Sequence, residues 1–172
     1  MVAVVIAYMT GLLGIALLAM LAIRWRSTPE SDGFRVSEDG RPIVWPRRLL
    51  PIHIASHTDL GLEWLITLRA ACMRFNLAMG TIFTLSNSVW PETGTIVVTP
   101  VSSTTDIDMC ELDVVNDEIQ AAAIRLPREY RGSRMALMMH LLGHALGLDH
   151  VDNVGSIMHP RLEQQRAHLV EG

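Results

Sequence analysis

The sequence predicts an α+β domain preceded by one N-terminal transmembrane helix, and three observations carry that expectation. Between Leu49 and Leu126, β-branched runs surround one helix-period segment, in the order strand, helix, strand, strand, strand. Residues 134–146 form a second helix that is apolar on nearly every side, so it must run through the middle of the domain. Val2 to Ile23 is a run of 22 residues without a charge, interrupted only by Thr10, Gly11 and Gly14. At ~1.5 Å per helical residue such a run spans a hydrocarbon core of ~30 Å.

A length of 172 residues, 49% of them hydrophobic and 19% charged, allows one compact domain and an appendage. All 14 basic residues are Arg, and 18 acidic residues outnumber them to give a net charge of -4. No basic field steers this chain onto nucleic acid. Cys72 and Cys110 lack any CxxC spacing, which excludes a disulfide-dense scaffold and a four-cysteine zinc finger and leaves either one disulfide or two free thiols.

The rival reading of residues 2–23 is a cleaved signal peptide, but no basic segment precedes the run and no A-x-A site precedes Arg24. The expectation is therefore a single-pass membrane protein. Arg24, Arg26, Arg35, Arg41, Arg47 and Arg48 all follow the span, and by the positive-inside rule they favour a cytoplasmic domain. Ser27 to Pro46 is rich in Ser, Pro, Glu, Asp, Gly and Arg, as a solvated tether would be. The expected organisation is an anchor over 1–23, a flexible linker over 24–46 and a folded domain over 47–172.

Within the domain, Leu49 to Ala55 reads as a strand, with Ile52 and Ile54 alternating against His53. Thr58-Asp59 offers an N-cap for a helix over 62–77, which Gly80 closes. Cys72 on this helix reads as a small buried hydrophobe. Thr81 to Leu85, Thr95 to Val101 and Ile119 to Leu126 read as strands, the last ended by Pro127. Six of the thirteen residues from Asp106 to Glu118 are acidic, so that stretch is either a solvated loop or a weak Ca2+ site. Ser133 is a plausible N-cap for the apolar helix.

That helix carries the chemistry. His140 and His144 are four apart, which puts both imidazoles on one helical face within reach of one ion. Gly147 follows where a C-cap permits a positive φ, and the chain turns to bring in His150. Three neutral nitrogen donors with a fourth position left to water make a catalytic type of Zn2+ site. His53 and His57 are also four apart, but on a strand that spacing separates them by about 13 Å, so no second metal site is expected.

The run His140-Leu-Leu-Gly-His144-Ala-Leu-Gly147-Leu-Asp-His150 resembles the zinc signature of metzincin metallopeptidases, especially matrixin-like ones. Ser156-Ile157-Met158-His159-Pro160 is similar to the Met-turn of that family, which implies that Met158 lies as an apolar floor beneath the metal. The resemblance implies a mixed twisted sheet, a first helix, a central zinc-binding helix, the Met-turn and a C-terminal helix. It further implies a zinc-dependent metalloendopeptidase acting on extended peptides that pair with an exposed sheet edge, and a domain on the extracytoplasmic side. The family places a general-base glutamate directly after the first histidine, and here that position is Leu141. Leucine accepts no proton, so zinc binding survives while hydrolysis falls by the ~10²–10⁴ that a general base supplies. Leu141 fits either an inactivated peptidase or a natural pseudopeptidase that binds peptides without cutting them. Asp149 is placed to orient His150 or cap the turn. No cysteine lies between Ile23 and Arg47, so no cysteine switch is implied. A third reading makes the zinc purely structural, with His159 or a carboxylate closing the fourth position.

Overall fold

In the computed structural model, which describes residues 33–86, 92–102, 109–153 and 155–160, the β-branched runs pair into one five-stranded sheet. Its strands are β1 (Ile52–Ser56), β2 (Phe83–Ser86), β3 (Thr95–Val101), β4 (Cys110–Val115) and β5 (Glu118–Pro127), ordered β2-β1-β3-β5-β4. All neighbours are parallel except β4, which runs antiparallel to β5 at one edge. Parallel partners need a crossover, and helix α1 (Leu62–Met79) supplies the one from β1 to β2.

Register decides which side chains share a face. Ile54 lies beside Ile96, Ile96 beside Ala122, and Val98 beside Ile124, so one face of the sheet is continuously apolar and buried. Trp64, Leu68, Ala71, Cys72 and Phe75 of α1 join that core at spacings of three and four, one stripe of the helix. Helix α2 (Arg134–Ala145) belongs to the same core and buries eight of its twelve residues. Ser133 caps it as expected, its side chain accepting from the Ala136 amide at 3.2 Å. The C-terminal turn of α1 is clasped by Asn76. Its Oδ1 accepts from the amides of Ile82 and Phe83 at 3.0 and 2.8 Å, and its Nδ2 donates to the Phe83 carbonyl at 2.8 Å.

Several expectations need correction. The acidic stretch is not a loop throughout: residues 110–115 form β4, hairpinned to β5 through Asn116 and Asp117, both at positive φ. Glu111 and Asp113 are exposed on the strand while Cys110 is buried, the alternation of a half-buried edge. The Ca2+ alternative finds no support, because Glu111, Asp117 and Glu118 face Arg125, Arg41 and Arg48; Asp106 and Asp108 lie outside the described residues. Thr58-Asp59 does not cap α1, which starts at Leu62 after Gly61. The Asp59 amide instead donates to His57 Nδ1 at 3.2 Å. β1 starts at Ile52, behind a short 3-10 turn over Arg47–Leu49. Residues 33–46, within the stretch read as a linker, pack on the domain through backbone bridges between Phe34 and Leu148 and between Val44 and Glu118.

The membrane assignment is also corrected, and with it the membrane partner, the single-pass localisation and the transmembrane part of the fold class. Among the described residues no helix is long and apolar enough to cross a membrane. α1 has the length but carries Glu63, Arg69 and Arg74, and α2 has only 12 residues. Residues 2–23, on which that expectation rested, lie outside the described residues, as does the expected C-terminal helix beyond residue 160. The fold described is therefore a mixed α+β sheet-and-helix architecture without a spanning helix.

Two outcomes test this packing. Asn76→Ala strands two amides and a carbonyl, each part-buried, so urea unfolding should show a loss of about 1–3 kcal/mol. Burial pushes the free Cys72 thiol up to about 12, which keeps it protonated at pH 8. Mass spectrometry after iodoacetamide treatment should find Cys72 unmodified in the folded chain and alkylated once denaturant is added.

Candidate metal centre

Helix α2 ends in a Schellman motif. The Gly147 amide donates to the His144 carbonyl at 2.9 Å and the Leu148 amide to the Gly143 carbonyl at 3.0 Å. Gly147 takes φ +89, and a Cβ there would overlap the carbonyl oxygen of Ile43. Both the backbone angle and the close neighbour demand glycine. The chain then reverses, and His150 returns to the face that carries His140 and His144.

The three imidazoles converge. His144 Nε2 stands 3.0 Å from His140 Nε2 and 3.1 Å from His150 Nε2. The His144 ring is nearly perpendicular to the other two, at 87° and 86°. His140 Nδ1 lies 2.6 Å from the Ile157 carbonyl and His144 Nδ1 2.8 Å from the Leu148 carbonyl. A carbonyl oxygen only accepts, so both Nδ1 atoms carry a proton, and each ring turns its Nε2 to the same point. Two ring nitrogens 3.0 Å apart are held by a proton shared between them or by a cation that both coordinate. Two nitrogens on one zinc stand roughly 3.3 Å apart for tetrahedral bonds of ~2.0–2.1 Å, close to the separations here. The donor set therefore fits zinc, with backbone carbonyls as the outer partners that fix each ring.

Met158 packs against α2 at Gly143. It is buried, and its sulfur occupies the space where a side chain at Gly143 would lie, one residue before the second histidine. The turn that delivers it is tied by the Met158 amide to Ser156 Oγ at 3.1 Å, and by the Val151 amide to the Met158 carbonyl at 3.1 Å. Asp149 Oδ1 accepts from the His150 amide at 2.8 Å. His140 and His144 are buried, whereas His150 is exposed, so the centre opens to solvent on the side of His150.

Leu141 follows His140 and is fully buried in the apolar core. Among the described residues the group able to hold a metal consists of His140, His144 and His150, and neither a carboxylate nor His159 joins it. His53 and His57 stay apart from it: His53 Nδ1 pairs with Thr84 Oγ1 at 3.1 Å, and His57 takes the Asp59 amide. Sequence reasoning missed the Ile157 and Leu148 carbonyls, which no residue type announces. It also missed Trp45, whose Nε1 donates to the Ala145 carbonyl at 2.7 Å at the end of α2. The apolar run Ile43-Val44-Trp45, inside a stretch rich in Ser, Glu, Asp and Arg, was the signal available.

The centre makes a direct expectation. The full chain should bind one zinc per molecule, and His144→Ala, which removes the ligand between the other two, should abolish tight binding in competition with a chromogenic chelator.

The matrixin profile of zinc peptidases matches residues 19–171. No curated protein matches the chain. Among solved structures, the chain is similar to high choriolytic enzyme 1, a hatching enzyme zinc-protease of the medaka Oryzias latipes, at 17% identity and a TM-score of 0.37. The match covers 72% of this chain and 52% of that one, so the chain spans about half the length of that structure. The profile match over most of the sequence and the converging histidines place a zinc-metalloendopeptidase type of fold around this centre, and the chain belongs to the matrixin family.

Proposed function

We propose that this chain is a zinc-binding peptidase scaffold in which His140, His144 and His150 hold the metal and Leu141 occupies the general-base position, leaving peptide hydrolysis strongly impaired. The observation that carries the reading is the pairing of a complete three-histidine centre with an aliphatic residue directly after its first ligand. Bound there, zinc supplies Lewis-acid polarisation and makes water acidic at neutral pH. The protein's own groups do the rest. The Ile157 and Leu148 carbonyls hold the imidazoles in the tautomer that presents Nε2. Asp149 fixes the backbone from which His150 projects, and its Oδ1 is already committed to that amide. Leu141 offers no lone pair to take a proton from water and none to pass one to a leaving amine. Edge strand β4 packs against α2, and an extended peptide added along its outer side would run past the helix that bears the ligands.

A second reading is a peptide-binding pseudopeptidase, favoured by the packing of Leu141. The side chain is fully buried among apolar neighbours, which suits a leucine better than a carboxylate.

One comparison separates the two. The zinc-loaded full chain and its Leu141→Glu variant are offered the same peptide library, with zinc content and far-UV circular dichroism measured on both. The peptidase reading expects cleavage by the variant, abolished by chelator and exceeding the parent by on the order of 10²–10⁴. A folded, zinc-loaded variant that cuts nothing, beside a parent that binds peptides, would leave the pseudopeptidase.

A further inference from the structure

We propose that residues 33–45 are a positioning element of the metal centre, holding the turn that presents His150 so that zinc binding and docking of this segment reinforce one another. The inference rests on the zinc site described above and concerns a part of the chain that carries none of its ligands.

The five residues between His144 and His150 are gripped by this segment at three points. The Trp45 indole donates to the Ala145 carbonyl at 2.7 Å, a buried bond to one of the last carbonyls of α2. The Arg35 amide donates to the Gly147 carbonyl at 2.8 Å, and the Asp149 amide donates to the Gly33 carbonyl at 2.8 Å. The last two flank an antiparallel bridge between Phe34 and Leu148, so a short ladder lines the turn immediately before the third ligand. A fourth contact is steric: the Ile43 carbonyl fills the space that any side chain at position 147 would need.

The segment is itself braced against the sheet. It doubles back through a bridge between Val36 and Pro42, closed by the Ile43 amide on the Arg35 carbonyl at 2.8 Å. It then enters the sheet beside β5, where the Ile119 amide donates to the Val44 carbonyl at 3.0 Å and Arg41 pairs with Asp117 at 2.8 Å. One end is thus anchored on β5 and the other on the ligand turn. The need for it follows from how the ligands are held. His140 and His144 are placed by helix α2, whereas His150 lies beyond the helix end and is exposed. Of the three, it is the ligand whose backbone needs support from outside the helix.

Coupling of this kind is reciprocal, so a segment that favours zinc must be favoured by zinc by the same factor. Zinc release from the full chain to a chromogenic chelator is the first readout, and amide exchange of residues 33–45 with and without zinc is the second. Arg35→Pro removes the donor to Gly147 and suits the extended backbone at Phe34. Trp45→Phe removes the donor to Ala145 and keeps an aromatic ring. Each variant should release zinc roughly threefold to tenfold faster than the parent, the factor expected of one hydrogen bond. Glu38→Ala, at the far tip of the hairpin, should release it at the parental rate. In the parent, zinc should slow exchange at the Arg35 and Asp149 amides. A purely structural segment would lower stability equally with and without zinc and leave release unchanged. Equal release from parent and variants, with exchange of 33–45 indifferent to zinc, overturns the proposal. Should both variants fail to fold, the exchange measurement on the parent decides alone. Failure of the parent to take up zinc at all overturns the metal centre itself, and the positioning role with it.

Discussion

Three imidazole lone pairs must meet at one point, and most of the architecture around α2 answers to that constraint. Nitrogen atoms 3.0 and 3.1 Å apart tolerate little error in backbone position. Two ligands are placed cheaply, because a helix repeats its face every four residues and buries it against the sheet. The third needs the chain to stop, reverse and return. The Schellman motif, Gly147 at positive φ and the Asp149 cap accomplish that within six residues of His144. Each ligand is then fixed from behind, two through a carbonyl on Nδ1 and one through its own amide.

The same constraint explains the interior. A helix that carries two imidazoles through a protein core must satisfy each ring at both nitrogens, since an unpaired buried polar group is costly. The Ile157 and Leu148 carbonyls answer on one side of each ring. Met158 fills the gap at Gly143 with a polarizable sulfur that makes no demand for a hydrogen bond. Polar needs are met by backbone and the remaining volume by apolar atoms, so the centre sits in the core without disrupting it.

The metal centre was legible in the sequence because its rules are local. Spacing of four, a glycine at the helix end and a returning histidine describe geometry within eleven residues. The parallel strands were legible for a similar reason, since strands buried on one or both faces are rich in β-branched residues, as β3 is. β4 was hidden by its own exposure: Glu111 and Asp113 line the solvent side of an edge, where charge guards against unwanted pairing but reads as loop. The hairpin turn at Asn116-Asp117 was the overlooked cue, two residue types that tolerate positive φ, set between Val115 and Glu118. The docking of residues 33–45 was not legible, because its partners lie a hundred residues away and its bonds are made largely by backbone. Composition alone cannot separate a tether from a segment whose amides bond to a distant part of the chain.

Gly147 shows that part of a short motif can be dictated from a distance. Its neighbour in space is the Ile43 carbonyl, contributed by a segment that the eleven-residue signature does not contain. The signature is thus not a portable module. Grafted alone onto a helix of a designed scaffold, it would carry two well-placed ligands and a third left to wander. A designer seeking a compact three-histidine site would need to import a backbone buttress with it, or rebuild one.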